Sequence, residues 1–146
     1  SPDVGGIKMA RAYAKRFSAD LAIIDKRRTS PERAEAMHIL GEVKGKNVII
    51  VDDLIATGSS LIEAVEALKK AKAKSIRAAI SHGVLSGEAI DKVDECKDLE
   101  ELIITDSIPL GGHKKHPRIK VVSVAGLLGE AIKRIHNEES VSSLFD

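Results

Sequence analysis

The chain has 146 residues, enough for one domain that buries a large aliphatic core without a disulfide or a metal. Its 23 Lys and Arg balance 22 Asp and Glu to a formal net charge of +1, and aromatic residues make up 2%, which argues against a broad nucleic-acid-binding surface. Cys96 is the single cysteine, and no apolar run approaches the roughly 18 residues of a membrane helix, so we expect a reduced, cytoplasmic setting without a membrane partner.

The first predicted element is a helix over residues 2–17, with Ser1 as its cap and Pro2 in its first turn. Its apolar residues recur on one face at helical spacing. A βα unit normally begins with its strand, yet no strand precedes this helix. Residues 1–3 look like the end of a strand whose body lies upstream, so we expect the chain to come from a longer polypeptide.

A strand, a loop and a returning arm are predicted next. The apolar run at 21–25 predicts a strand. Residues 27–35 are polar and include Pro31, which favours an exposed, mobile loop. Residues 37–43 and a turn at 44–47 then predict a strand that leads back, so this region forms a hairpin arm.

Four further strands alternate with three helices over the rest of the chain. Each strand, like 21–25, is near-continuously apolar, which is typical of parallel strands covered on both faces. Ser86 stands where it could cap the second of these helices. The pattern predicts one α/β domain over 1–146 with a doubly wound, mainly parallel sheet. The strands lie at 48–51, 76–80, 102–105 and 119–124, and the helices at 58–72, 86–95 and 125–137.

The most informative segment joins the strand at 48–51 to the helix that follows it. Two acids, Asp52 and Asp53, end the strand, and a short Thr-Gly-Ser-Ser loop leads into the helix. The N–H groups at a helix N-terminus bind anions, and Gly58 allows the backbone to approach a ligand closely. The glycine spacings of the P-loop and of the dinucleotide fingerprint are both absent. The alternative is an acidic strand end followed by an ordinary Ser/Thr helix cap.

This segment resembles the phosphoribosyl-pyrophosphate (PRPP) signature of type I phosphoribosyltransferases. The resemblance implies that Asp52 and Asp53 face the 2- and 3-hydroxyls of a ribose, while the loop binds its 5-phosphate. Many family members carry an acid where this chain has Ala56, so Ala56 contributes only its backbone. The implied phosphate-binding residues are Ala56, Thr57, Gly58, Ser59 and Ser60.

Four other segments, at 1–6, 25–28, 82–87 and 134–142, resemble the C-terminal half of ribose-phosphate pyrophosphokinases in the same order. The resemblance implies two similar α/β domains, of which this chain supplies the second and lacks the N-terminal one that forms most of the ATP site. The implied reaction transfers pyrophosphate from ATP to the 1-hydroxyl of ribose 5-phosphate and yields PRPP and AMP. The resemblance also implies Mg²⁺ as the cofactor and a homo-oligomer, commonly a hexamer built of dimers.

The same resemblance assigns roles to individual residues. Lys26 is implied as catalytic, and Arg28 as both catalytic and substrate-binding, because both open the loop that could close over the phosphates. Asp3 is implied as a Mg²⁺ ligand, with a partner histidine on the missing domain. The alternative for Lys26 and Arg28 is a solvated run of charge, and for Asp3 an acid favoured by the helix dipole. A regulatory phosphate or ADP site is implied at Ser140, Ser142 and Phe145, where the alternative is a frayed tail.

Two other functions remain as alternatives. One is a phosphoribosyltransferase that consumes PRPP, although 146 residues leave little chain for a hood over the base. The other is a non-catalytic homologue that regulates the synthetase, although the presence of Lys26 and Arg28 argues against it. The pair His113 and His116 is expected at the surface, and Cys96 is expected to be inert.

Overall fold

A computed structural model describes residues 1–27, 36–112 and 115–145, with backbone alone at Lys26, Arg27 and Ala36. The loop predicted to be mobile falls largely outside these residues. Within them the helices are α1 (Ile7–Arg16), α2 (Ser59–Lys70), α3 (Ala89–Glu95) and α4 (Ala125–His136), followed by a 3-10 turn at Ser142–Leu144. The strands are β1 (Ile23–Arg27), β2 (Ala36–Leu40), β3 (Asn47–Ile55), β4 (Ser75–Gly83), β5 (Glu101–Thr105) and β6 (Ile119–Val122).

Four parallel strands form the main sheet in the order β3-β4-β5-β6. The α2 helix packs its apolar face on this sheet and buries Leu61, Val65 and Leu68. From the sheet, Ile76, Leu102 and Ile104 are almost completely buried, which explains why the strands are continuously apolar in sequence. The predicted α/β fold with a mainly parallel sheet is therefore confirmed, and all carboxyl ends of these strands lie at one edge.

The hairpin arm is confirmed as well, but the prediction that its first strand belongs to the parallel sheet is wrong. The β1 strand pairs antiparallel with β2, with Ile23 opposite Leu40. Its other edge bonds to Ser1, through Ser1 N–H to the Ala22 carbonyl and Ile24 N–H to the Ser1 carbonyl. Ile24 is buried in the core, so its run looks apolar whichever way its partner runs.

Two predicted helix starts are also wrong. The first helix begins at Ile7, and Ser1 donates its hydroxyl proton to the Asp3 carbonyl instead of capping the helix. Asp3 Oδ1 accepts from Gly6 N–H at 2.9 Å, which turns the chain into α1. The α3 helix begins at Ala89 with no side-chain cap, and Ser86 takes part only through its backbone carbonyl, which accepts from the Ala89 N–H at 3.2 Å.

The apolar stripe that predicts α4 lies on the surface of the described residues. No residue of α4 is buried, and its four large apolar side chains are between 48% and 67% exposed. These are Leu127, Leu128, Ile132 and Ile135. Among the described helices, none combines the length and the apolar character needed to cross a membrane.

Candidate anion-binding site

A cavity of about 380 Å³ opens where β3 ends and α2 begins. The polar residues on its wall come from two regions of the chain, the turn before α1 and the segment that runs from the end of β3 into the first turn of α2. They include Asp3, Asp52, Thr57, Ser59 and Ser60, together with the backbone of Ala56 and Gly58. The cavity therefore contains residues 56–60, which we call the phosphate loop because the sequence predicts that they bind a phosphate. It also contains Asp52, a predicted ribose-binding acid, and Asp3, the predicted metal ligand.

The loop between β3 and α2 has the backbone shape that an anion site needs. Gly58 is the residue before the helix and has φ +78°, a left-handed conformation that glycine adopts without strain. The first helical hydrogen bond runs from Ile62 N–H to the Gly58 carbonyl, so the N–H groups before Ile62 have no partner within the helix. The Thr57 and Ser59 hydroxyl oxygens lie 3.4 Å apart beside these groups. Such a helix N-terminus attracts phosphate.

The two adjacent acids of β3 differ in their relation to the cavity, because Asp52 lines it and Asp53 does not. Side chains alternate along a strand, so Ile50, Asp52 and Leu54 face the cavity together. Asp53 is exposed and is not among the described residues that line the cavity. Its N–H donates to Asp52 Oδ1 at 2.9 Å. The structure therefore brings Asp52 to the loop, while Asp53 stays beside the Asp52 carboxyl without lining the cavity.

The Asp52 carboxylate is partly removed from water. This burial is the main cause that raises its pKa above the usual range, and the negative charges of Asp53 and Asp3 act in the same direction. The hydrogen bond from Asp53 N–H opposes the shift without cancelling it. A carboxylate in these surroundings is stabilised when hydroxyl donors or a cation bind to it.

Asp3 and Asp52 together form a donor set that suits a hard cation. Mg²⁺ is commonly bound by one or two carboxylates, with the remaining positions filled by water and substrate phosphates. No cluster of three or more His, Cys, Asp or Glu is placed to hold a metal among residues 1–27, 36–112 and 115–145. Two carboxylates on one wall are a donor set that could hold Mg²⁺, with water and substrate phosphates in its remaining positions.

The remaining predicted site residues lie apart from the cavity or outside the described residues. Lys26 lies in β1 opposite Met37, and its side chain is outside the description, as is all of Arg28. Ser140 and Ser142 follow α4, where the Ser142 N–H donates to Ser140 Oγ and Arg134 donates to the Ser140 carbonyl. Phe145 is 75% exposed.

The expectation that His116 is a surface residue is wrong, and its neighbour His113 lies outside the described residues. The His116 side chain is only 11% exposed and its Nε2 lies 3.0 Å from Asp94 Oδ1. The two partners are 22 residues apart in sequence, so neither spacing nor composition indicates the pair.

The sequence analysis also missed Lys92, which lies on α3 and donates from Nζ to Ser59 Oγ at 2.9 Å. Residues 92 and 59 are 33 positions apart, and a single lysine on a short helix carries no local signal of this contact. A complete prediction of the phosphate loop therefore needs the tertiary structure.

Known proteins match the chain along its length. The sequence profile of the family described as "Phosphoribosyl synthetase-associated domain" matches residues 27–146. The ribose-phosphate pyrophosphokinases of Mesorhizobium japonicum and Agrobacterium fabrum are 52% and 54% identical to it, and each match covers 100% of this chain and 47% of the relative. The crystal structure of phosphoribosylpyrophosphate synthetase from Mycobacterium smegmatis superposes with a TM-score of 0.86 at 34% identity, over 94% of this chain and 44% of that one.

The chain thus spans about half the length of the curated relatives it matches. The fold, with its four-stranded parallel sheet and small antiparallel hairpin, agrees with that of the synthetase structure. By its profile match the chain belongs to the phosphoribosyl synthetase-associated domain family, and it is similar to the C-terminal region of ribose-phosphate pyrophosphokinases.

Proposed function

We propose that this chain provides the ribose 5-phosphate site of an enzyme that makes PRPP and AMP from ATP and ribose 5-phosphate. The observation that carries the proposal is that Asp52 and the loop at 56–60 line one cavity. The relatives' name, ribose-phosphate pyrophosphokinase, identifies a sugar phosphate as their substrate. A phosphate-binding loop beside an acid suited to hydroxyl groups is what such a substrate requires.

The ligand's two ends meet different chemistry in this cavity. Its phosphate accepts hydrogen bonds from the free N–H groups of the loop and from the Thr57 and Ser59 hydroxyls. Its ribose hydroxyls donate to Asp52, whose partial burial strengthens the gain from such bonds. The cavity volume of about 380 Å³ lies within the usual range of small-molecule sites, about 300–1,000 Å³. Asp53 as a second ribose ligand stays a prediction.

The proposed reaction is attack of the ribose 1-hydroxyl on the β-phosphorus of ATP, with AMP as the leaving group. Mg²⁺ held by Asp3, with Asp52 beside it, would neutralise charge on the phosphate oxygens. The chain's own contribution is to hold the ribose so that its 1-hydroxyl is free to attack. Lys26 and Arg28 are proposed to stabilise the charge that develops on the transferred group, which is the main requirement in such transfers.

The rest of the proposal concerns the whole enzyme. We assign residues 1–146 to one domain. Since the relatives are about twice as long, we assign most of the ATP site to their N-terminal half, which lies outside these residues. A homo-oligomer of the dimer-based hexamer type and a regulatory site at Ser140, Ser142 and Phe145 stay predictions. So does a cytoplasmic setting, which rests on the free thiol of Cys96.

Titration of the isotope-labelled chain with ribose 5-phosphate, followed by amide NMR, tests the binding step. The expected result is saturable shifts in the amides of residues 56–60, and inorganic phosphate should move the same amides. Shifts confined to other parts of the chain would contradict the proposal.

A chimera tests the reaction. The N-terminal half of the Agrobacterium fabrum relative, joined to this chain, should form PRPP and AMP from ATP and ribose 5-phosphate. Consumption of PRPP with a free base, without synthesis, would favour the phosphoribosyltransferase alternative. A chimera without turnover that still alters the activity of the intact relative would favour the regulatory alternative.

A further inference from the structure

The phosphate loop is supported from below by the segment that enters α3. The N–H groups of Val84 and Leu85 donate to the Ile55 carbonyl at 3.0 and 3.2 Å, and Ser86 N–H donates to the Ala56 carbonyl at 2.9 Å. A Cβ placed on Gly58 would lie 3.7–3.8 Å from Ala89, at the start of α3. The loop and the α3 region are therefore in direct contact.

Lys92 extends this support to a side chain of the loop. Its Nζ donates to Ser59 Oγ at 2.9 Å, and the lysine is half-buried between α3 and the loop. The Ser59 oxygen therefore accepts a charge-assisted hydrogen bond, which is stronger than a neutral one. An ammonium group cannot accept a hydrogen bond, so the Ser59 proton points away from Lys92. It can be donated to Thr57 Oγ1 at 3.4 Å or into the cavity.

The charge balance of the cavity gives this lysine a second effect. Among the described residues that line the cavity there are two carboxylates, Asp3 and Asp52, and no cationic side chain. These carboxylates repel a phosphate ester, and the partial positive charge of the helix N-terminus acts against that repulsion. An ammonium one hydrogen bond behind Ser59 supplies fixed positive charge on the phosphate side of the site.

We propose that Lys92 is a positioning residue for the substrate phosphate. It fixes the Ser59 hydroxyl as a donor towards the ligand and adds positive charge behind the loop. This inference rests on the proposed function, because it assumes that a phosphate ester occupies the loop.

The test replaces Lys92 by methionine, which keeps the apolar stem and removes the ammonium. Affinity of the full 146-residue chain for ribose 5-phosphate and for inorganic phosphate is measured by NMR titration. We expect Lys92→Met to weaken both ligands by the same factor, roughly five- to tenfold, because the lysine acts on the phosphate alone. The loss should shrink at high KCl, and Lys92→Arg should recover most of the affinity.

Lys97→Met is the matched control, since Lys97 follows α3, bonds to the Asp94 carbonyl and lies away from the loop. It makes the same change in net charge and should leave both affinities unchanged. Ser59→Ala serves as a second variant, and adding Lys92→Met to it should cause less loss than the product of the two single effects.

Wild-type affinity in Lys92→Met, an equal loss in Lys97→Met, or fully multiplicative effects of Lys92→Met and Ser59→Ala would overturn the inference. If Lys92→Met does not fold, Ser59→Ala and Lys92→Arg decide the matter: retained phosphate affinity in Ser59→Ala, or lost affinity in Lys92→Arg, would overturn it. If the unmodified chain binds neither ligand at residues 56–60, the proposed function itself fails. Binding by the unmodified chain that Lys92→Met leaves unchanged removes only the role of Lys92.

Discussion

Gly58→Ala should separate the strain of the phosphate loop from its crowding. The added Cβ would meet Ala89 at 3.7–3.8 Å, which is ordinary van der Waals contact, so space is not the obstacle. The φ of +78° is the obstacle, because an L-residue in the left-handed region costs about 1–2 kcal/mol. We expect that loss in the free energy of unfolding, and a smaller one for Gly58→Asn, because asparagine tolerates this region better.

Gly45→Ala is the matched control. Gly45 has φ +71° and nothing within 4 Å of its Cβ position, and it lies in the turn before β3, away from the cavity. Urea unfolding should therefore show a loss of about 1–2 kcal/mol for Gly45→Ala, and a loss no larger than that for Gly58→Ala, whose loop can relieve part of the strain. In Gly58→Ala alone the loop can relieve strain by shifting, and phosphate must then restore its shape. Phosphate affinity should fall by up to about 5–30-fold, the factor equivalent to that strain.

Two results would refute this reasoning. Unchanged stability of Gly58→Ala would show that the left-handed conformation is not enforced. An equal fall in phosphate affinity in Gly45→Ala would show that the effect is general destabilisation rather than loop geometry.

Three further predictions address the site and the fold. Asp52→Asn should raise the melting temperature at neutral pH and weaken ribose 5-phosphate more than inorganic phosphate. The raised pKa of Asp52 means that its charged form is disfavoured in the folded state, so the gain should vanish as the pH falls and the wild-type carboxyl protonates. An equal gain at low pH, or an equal loss of affinity for both ligands, would contradict this. Arg118→Met should cost about 2–4 kcal/mol in urea unfolding, since the guanidinium donates to four backbone carbonyls at and after the end of α3, and a loss near zero would contradict it. In the two-domain enzyme, Lys26→Ala should lower kcat by about 10²–10³ with ribose 5-phosphate affinity nearly intact, and an unchanged kcat would remove Lys26 from the mechanism.

The parts of the fold that follow from local pattern could be predicted from the sequence. The strands β3 to β5 contain buried apolar runs, and β6 is mostly apolar although it buries only Ile119, so their apolar residues indicate these strands to within a few positions. The direction of β1 could not be predicted, because burial of Ile24 is the same beside a parallel or an antiparallel partner. Hydrogen bonding, rather than apolar pattern, decides that difference.

The same division holds in the candidate site. The loop at 56–60 could be predicted because its strand, glycine and helix are consecutive in the chain. Strand alternation predicts that only one of the adjacent acids Asp52 and Asp53 faces the cavity, and Asp52 is the one that lines it. Lys92 and the pair of His116 with Asp94 could not be found, because their partners are more than 20 residues away.

The support of the loop by residues 84–86 has a consequence for which substitutions the site tolerates. The carbonyls of Ile55 and Ala56 accept hydrogen bonds from that segment. In a trans peptide the N–H points opposite to its carbonyl, so the N–H groups of Ala56 and Thr57 are turned away from the segment. The direction of these dipoles is therefore set by backbone bonding and does not depend on the side chain at position 56. Alanine at position 56 is therefore compatible with a polar loop, because the side chain there can vary while the direction of the backbone dipoles is preserved.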